Sequence, residues 1–292
     1  MSHPRLSIVI VNWNVRDVLE KNLEVLFAEP VLFEKEVIVI DNASNDGSSA
    51  MVREKFPNVR LIINDWNAGF AHAVNQGWRI AQGNVVLLLN PDMKIRPGSL
   101  QKTVEILEAD QTIGILGGHL LNREGKTVPS VRHDPSLWDQ LAIVLKLPHL
   151  FPKVVDRYLA KDFPYAQSQD VEQVRGSYFA FRRGLSEIVG FFDERYFLWF
   201  EEVDFCKRVR EKGLCVRYEA SLEAEDLGSL SFRQVSVRRK QWLFSSSLTK
   251  YFFKWHPWWQ GTLFWKLRPF AIGVGAVIDA GRWMKRRGVR GL

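Results

Sequence analysis

Four short apolar runs near the start of the chain, at residues 6–11, 36–40, 59–63 and 85–89, constrain the fold more than any other feature. They are rich in Val, Ile and Leu and do not alternate with polar residues. Such runs suit strands buried on both faces, as in a parallel sheet. Between the first two, Val18, Leu19, Leu23, Leu26 and Phe27 recur at helical spacing, and residues 71–81 form a second helical stretch. This alternation predicts an α/β sheet with helices on its faces. In such sheets ligands bind beyond the carboxyl ends of the strands. All four runs lead into polar residues there: Asn12-Trp13-Asn14, Asp41-Asn42-Ala43-Ser44-Asn45-Asp46-Gly47, Asn64-Asp65-Trp66-Asn67-Ala68-Gly69 and Asn90-Pro91-Asp92. Any one of these serves equally as a turn or a helix cap, but four loaded strand ends together point to a ligand site.

At 292 residues, 46% hydrophobic and 25% charged, the chain has the composition of a folded protein and excludes a disordered or polytopic membrane chain. Cys206 and Cys215 are its only cysteines, too few for a disulfide scaffold or a four-thiolate zinc site. The six histidines lack zinc-ligand spacing. Neither the dinucleotide fingerprint nor the Walker A loop is present. The start, Met1-Ser2-His3-Pro4-Arg5, has no signal-peptide layout, so the expected compartment is the cytoplasm. The net charge of +7 is unevenly spread: residues 232–292 hold thirteen Lys and Arg against one acid, Asp279, together with six of the 11 tryptophans.

The strand-end motifs resemble those of glycosyltransferase family 2, and so do Asn75-Gln76-Gly77, Gly190-Phe191-Phe192-Asp193-Glu194-Arg195 and Glu201-Glu202-Val203-Asp204. The likeness spans roughly residues 5–255, and its flavour is that of the bacterial rhamnosyltransferase-like branch. It implies a GT-A fold: a Rossmann-like, mostly parallel sheet flanked by helices, here with a C-terminal basic amphipathic helical extension. Residues 1–231 would form the glycosyltransferase domain, with a nucleotide-sugar half at about 1–121 and an acceptor half at about 122–231. Residues 232–292 would form the extension. The implied activity is inverting and metal-dependent, moving rhamnose or another hexose from a dTDP- or UDP-sugar to a polyprenyl-linked or other glycan.

The resemblance also implies roles for single residues. Val11, Trp13, Asp41, Asn67 and Asn90 would bind the donor nucleotide, Trp13 by stacking on a pyrimidine and Asp41 by accepting its imide N–H. Asp92 would hold Mg2+ or Mn2+, hard cations that take one or two carboxylates plus substrate phosphates. Where the family has a metal-binding His, this chain reads Glu225-Asp226, with Asp226 the better-placed substitute and Glu225 the runner-up. Glu202 occupies the position of the family's general base. Gly176, Ser177, Glu201 and Asp204 would lie on the acceptor side, although three acids there read equally as the first turn of a helix over residues 205–212. Two amphipathic stretches within residues 137–159 read either as an acceptor-side insertion or as a surface helical hairpin.

The uncharged run of the extension at residues 269–278 is about half the ~20 residues a bilayer span requires. Its tryptophans and basic residues read as an anchor lying on the anionic inner face of the membrane. An oligomer interface is another reading, and no nucleic-acid-binding motif accompanies the charge. A catalytically inactive, membrane-bound sugar-nucleotide-binding protein is the alternative function. A nucleotidyltransferase would need a basic Gly-rich loop after the first strand, which Asn12-Trp13-Asn14-Val15 does not supply.

Overall fold

The computed structural model describes residues 4–228 and 230–288, and for Leu230 and residues 282–288 the main chain alone. The first half alternates as its pattern predicts, with one helix, α2, that the pattern did not single out: β1 (Leu6–Asn12), α1 (Arg16–Ala28), β2 (Lys35–Asp41), α2 (Ser48–Lys55), β3 (Arg60–Ile63), α3 (Phe70–Ile80) and β4 (Val85–Leu89). There follow β5 (Met93–Ile95), α4 (Ser99–Ala109), β6 (Ile113–Leu121), β7 (Thr127–Val128), β8 (Val131–Arg132) and α5 (Leu137–Val144). Next come β9 (Gln169–Asp170), β10 (Gln173–Val174), β11 (Tyr178–Arg182), α6 (Leu185–Val189), α7 (Glu201–Glu211) and β12 (Cys215–Asp226). The helices α8 (Leu230–Arg233), α9 (Val237–Trp255) and α10 (Trp258–Gly288) complete the order.

One sheet runs β3-β2-β1-β4-β11-β6-β12-β5, with β7 added on β6 and β9 on β12. The first four strands are parallel, β11 is antiparallel to both its neighbours, and β12 runs parallel to β6. Pairing of Asn12 with Asp41, and of Asp41 with Ile63, brings the polar strand ends together. Both faces are covered: Ile8 and Ile10 pack with Leu19, Leu23 and Leu26 of α1, whereas Val9 faces Ala73, Val74 and Trp78 of α3. Each such fully buried side chain contributes about 1.5–3 kcal/mol. The strand–helix contact is close at Gly77, where an added Cβ would lie 2.5 Å from Val9 Cγ1.

Two expectations change here. The helix expected over residues 205–212 begins at Glu201, so all three acids of the Glu201-Glu202-Val203-Asp204 motif lie in its first turn, close to the positive end of its dipole. The stretch 137–159 forms one helix, α5, followed by the single 3-10 turns Leu147–His149 and Pro152–Val155.

The C-terminal segment is seated on the body. Leu248, Tyr251 and Phe252 of α9 and Phe264 and Ala271 of α10 share a cluster with Val144, Tyr196, Phe200 and Val203. Asp204, expected on the acceptor side, is fully buried on the face of α7 turned to α9. Its Oδ1 accepts from Trp255 Nε1 at 2.8 Å and pairs with Lys254 Nζ at 2.7 Å, and its Oδ2 accepts from Arg208 Nε at 2.9 Å. Across the hairpin, Asp279 of α10 caps the start of α9, accepting from the main-chain N–H groups of Val237 at 2.9 Å and Arg238 at 2.8 Å.

Removing one member of a buried ion pair costs about 3–5 kcal/mol. Asp204→Ala should therefore lower the stability measured by urea denaturation by that order. Limited proteolysis should then cut first between α7 and α9.

Candidate active site

A cavity of about 730 Å3 opens at the carboxyl ends of the parallel strands. One wall is made by the strand-end loops, with Val11, Trp13, Asn42, Asn67, Asn90 and Asp92 on it. The asparagines also hold these loops in place. Asn42 Nδ2 donates to Asn67 Oδ1 at 3.0 Å and to Gly69 O at 3.2 Å, and Asn42 Oδ1 accepts from Ala68 N at 3.1 Å. Gly69, at φ +89°, has no room for a side chain, because an added Cβ would lie 2.6 Å from Phe197 O. Phe70 N donates to that same carbonyl at 2.8 Å, joining the Asn-Ala-Gly-Phe motif to the later aromatic segment. Asn75 grips the segment again, exchanging hydrogen bonds with both main-chain groups of Phe192 at 2.9 and 3.0 Å.

The opposite wall contains Gly176, Ser177, Glu201 and Glu202. Trp199 and Phe200 deliver the two glutamates, both with left-handed backbone (φ 62° and 70°). Non-glycine residues in that region store strain and concentrate at functional sites. Glu201 and Glu202 each have a buried Oε2 without a hydrogen-bond partner among the described residues. Burial pushes the Glu201 carboxyl well above the usual carboxylate range, and the charge of Glu202 pushes it further. Burial raises Glu202 as well, against the opposing pull of the Arg132 and Arg175 guanidinium groups. Antiparallel pairing of β8 with β10 sets these two arginines on the cavity wall. Arg132 lies 5.6 Å from the centroid of the Tyr158 ring.

Of the residues singled out from the sequence, Asp41, Asp204 and Asp226 are not on the wall. Asp41 is 1% exposed; its Oδ1 accepts from Asn12 Nδ2 at 2.9 Å, and its Oδ2 accepts from Ser44 N at 3.3 Å and from the Ser49 hydroxyl. Asp226 adjoins Asp92, since Leu227 N donates to Asp92 O at 3.0 Å, but its carboxylate pairs with Arg175 Nη1 at 3.2 Å and caps Gly228 N at 2.8 Å. Glu225 pairs with Lys94 across the β5–β12 ladder. No cluster of three or more His, Cys, Asp or Glu capable of holding a metal occurs among the described residues. Cys206 is fully buried, and burial pushes its thiol up to about 12.

Sequence reasoning missed Arg132, Tyr158 and Arg175, which lie on short strands and turns without periodicity. It also missed the aromatic end of the cavity, formed by residues 197–200 with Phe232, Arg239, Leu243 and Phe244. The sequence signal there was the dense aromatic and basic content of these segments.

Comparison with known proteins agrees with this architecture. Over 251 residues the chain is 28% identical to an N-acetylglucosaminyl-diphospho-decaprenol L-rhamnosyltransferase of Mycobacterium tuberculosis, spanning 80% of this chain and 79% of that protein. A low-salt glycan biosynthesis hexosyltransferase of Haloferax volcanii is 25% identical over 216 residues, 72% of this chain and 62% of its own. Among solved structures, a mannosyltransferase of Pyrobaculum calidifontis in complex with GDP-Man and Mn2+ matches 95% of this chain and 74% of its own, with a TM-score of 0.59 at 18% identity. GalNAc-T7 with UDP, GalNAc and Mn2+ gives a TM-score of 0.61 at 14% identity over 85% of this chain, which spans about half (51%) of that protein. At such identities the likeness is one of fold, and the fold is GT-A. The glycosyl transferase family 2 model matches residues 7–186, well over half of the sequence, and the chain belongs to that family.

Proposed function

We propose that this protein is an inverting glycosyltransferase that moves a sugar, rhamnose or another hexose, from a dTDP- or UDP-sugar to a lipid-linked glycan. The observation that supports this most directly is Glu202, a half-buried residue whose Oε2 is buried without a partner among the described residues and which lines the cavity opposite the strand-end loops. A base must reach the hydroxyl proton it removes. Glu202 would take that proton as the acceptor oxygen attacks C1 from the face opposite the leaving nucleotide, which inverts the anomeric centre. Glu201 and Glu202 share one site and titrate as a pair. Burial raises both carboxyls, Glu201 further through the charge of Glu202, and the Arg132 and Arg175 guanidinium groups oppose the rise at Glu202.

On the donor side, Trp13 offers a ring for the pyrimidine, and Val11, Asn67 and Asn90 border the same space. Asp41 remains the proposed partner of the base's imide N–H, which would take the place of the Ser44 and Ser49 groups now on its Oδ2. The oxygen chemistry of Asp92, 5% exposed on the wall, suits a hard divalent cation that completes its shell with donor phosphates. Asp226 would join it only by giving up Arg175. Bound there, Mg2+ or Mn2+ would offset the charge of the departing diphosphate.

No helix among the described residues is long and apolar enough to cross a membrane. We place the protein on the cytoplasmic membrane face through α10, whose Trp258, Trp259 and Trp265 are 73%, 48% and 57% exposed. The side chains of Trp283, Lys285, Arg286, Arg287 and Arg290, which the sequence assigns to the same anchor, lie outside the described residues.

Three outcomes test this reading. In thermal-shift measurements with Mn2+, dTDP- or UDP-sugars should stabilise the protein, by ~2.7 kcal/mol at a hundred times Kd, and GDP-sugars should not. A GDP preference would remove Asp41 and Trp13 from the base pocket, and donor binding indifferent to the metal would remove Asp92 from its role.

Glu202→Gln should lower turnover by about 10²–10⁴ while leaving donor binding nearly unchanged. Arg132→Gln should move the acid limb of the pH–rate profile to higher pH, because a charge that holds Glu202 ionised is lost. Glu201 has a folded pKa above its unfolded value, so its contribution to stability is present at low pH and disappears as pH rises through the folded pKa. Glu201→Gln should therefore raise the melting temperature more at mildly alkaline than at mildly acidic pH.

The third outcome concerns the membrane. Because Phe264 and Ala271 of α10 belong to the cluster shared with the body, the clean variant is the triple Trp258→Ala, Trp259→Ala, Trp265→Ala rather than a truncation. It should lower partitioning onto anionic vesicles roughly tenfold or more with little loss of stability. Unchanged partitioning would refute the anchor.

A further inference from the structure

The cavity continues past Glu202 into an end of different chemistry. Residues 197–200 lead directly into the two glutamates, and there the wall becomes aromatic. Trp199 packs against Phe232, with ring centroids 4.8 Å apart, and against Phe244 at 6.0 Å. Above this floor stand cations. The Arg239 guanidinium carbon lies 4.3 Å from the centroid of the Trp242 ring and 6.0 Å from that of Phe197, and Lys240 Nζ lies 5.8 Å from that of Phe232.

These cations, like Arg132 on the cavity wall, have no acid partner among the described residues. Arg175 is committed to Asp226, Arg208 to Asp204, Arg210 to Asp134 and Lys254 to Asp193 and Asp204. Among the described residues no carboxylate forms a salt bridge with Arg233, Arg239 or Lys240. An arginine held flat on an aromatic ring keeps its N–H edge available for a planar or tetrahedral oxyanion. An apolar trough bordered by such a cation complements an amphiphile with an anionic head.

We propose that this end of the cavity is the acceptor's lipid subsite. A long apolar chain lies along Trp199, Phe232 and Phe244, and the phosphate or diphosphate at its head is bound by Arg239. The inference rests on the lipid-linked acceptor proposed above and assigns it a place. The acceptor sugar, joined to that phosphate, would then lie between Arg239 and Glu202, where its hydroxyl loses its proton. Arg239 differs from Arg132 and Arg175 in function: those two face the general base, and Arg239 faces the lipid head.

The test uses the full chain, with farnesyl diphosphate as probe and quenching of tryptophan fluorescence as readout, in the presence of saturating UDP. Farnesyl diphosphate should bind, with farnesol and inorganic pyrophosphate each at least about tenfold weaker. Arg239→Glu should weaken farnesyl diphosphate binding by about ten- to a hundredfold, the range for one charge-assisted hydrogen bond. Arg239→Lys should restore part of the loss. Stabilisation by UDP, measured on each variant, reports that the fold is intact.

Equal binding by Arg239→Glu, pyrophosphate as effective as farnesyl diphosphate, or displacement of the probe by UDP would each overturn the subsite. UDP stabilisation without farnesyl diphosphate binding would remove the subsite and leave the transferase reading standing. Farnesyl diphosphate binding that depends on Arg239, in a protein that no nucleotide sugar stabilises, would uphold the subsite and remove the transferase reading.

Discussion

A single helical turn organises this molecule. The first turn of α7 carries three acids, and its geometry sends them to opposite sides: Glu201 and Glu202 face the cavity, and Asp204 turns into the protein. There Asp204 meets Lys254 and Trp255 at the end of α9 and Arg208 on its own helix. Fixing α9 against α7 also fixes Arg239, Leu243 and Phe244, which close the far end of the cavity. A charge of this kind tolerates full burial only because both oxygens of the carboxylate have donors. The two glutamates are the converse case, each with a buried, unpartnered oxygen and a raised pKa, the arrangement expected where a group is held ready for a reactant.

Much of what identifies the family in this chain is scaffold. Gly69 leaves room for the Phe197 carbonyl, Gly77 lets α3 approach the sheet, and Asn75 clamps the turn at Phe192. Asp46 joins two helix starts, accepting from Arg16 N at 2.8 Å and Ser48 N at 3.1 Å. These residues hold the strand-end loops and the aromatic segment in mutual register, and the cavity forms between them. Apart from Gly69, they mark the site without lining it.

This division explains what could be read from the sequence. The parallel half of the sheet was legible because its strands are continuous apolar runs and its helices have a strong period; β4 covers the same residues, 85–89, as its run. The start of α7 was misjudged because the left-handed residues Trp199 and Phe200 before it resemble no capping motif. Asp41 and Asp204 show the limit of motif reasoning: position in a motif tells that a carboxylate is needed, and the third dimension tells which partner it serves. Arg132 and Arg239 could not be found in advance, since each reaches the cavity through pairing or packing of segments distant in sequence.

The cap that Asp279 places on α9 has a mechanical consequence. Through it, the distal half of α10 grips the turn that bears Arg238 and Arg239, and Phe264 and Ala271 hold the helix's proximal half to the body. The hairpin thus behaves as a closed loop with two points of attachment rather than as a free arm. A load on the exposed face of α10 is passed to the first turn of α9, and so to the rim of the cavity. The exposed face of α10 and the rim of the cavity are in this way mechanically joined.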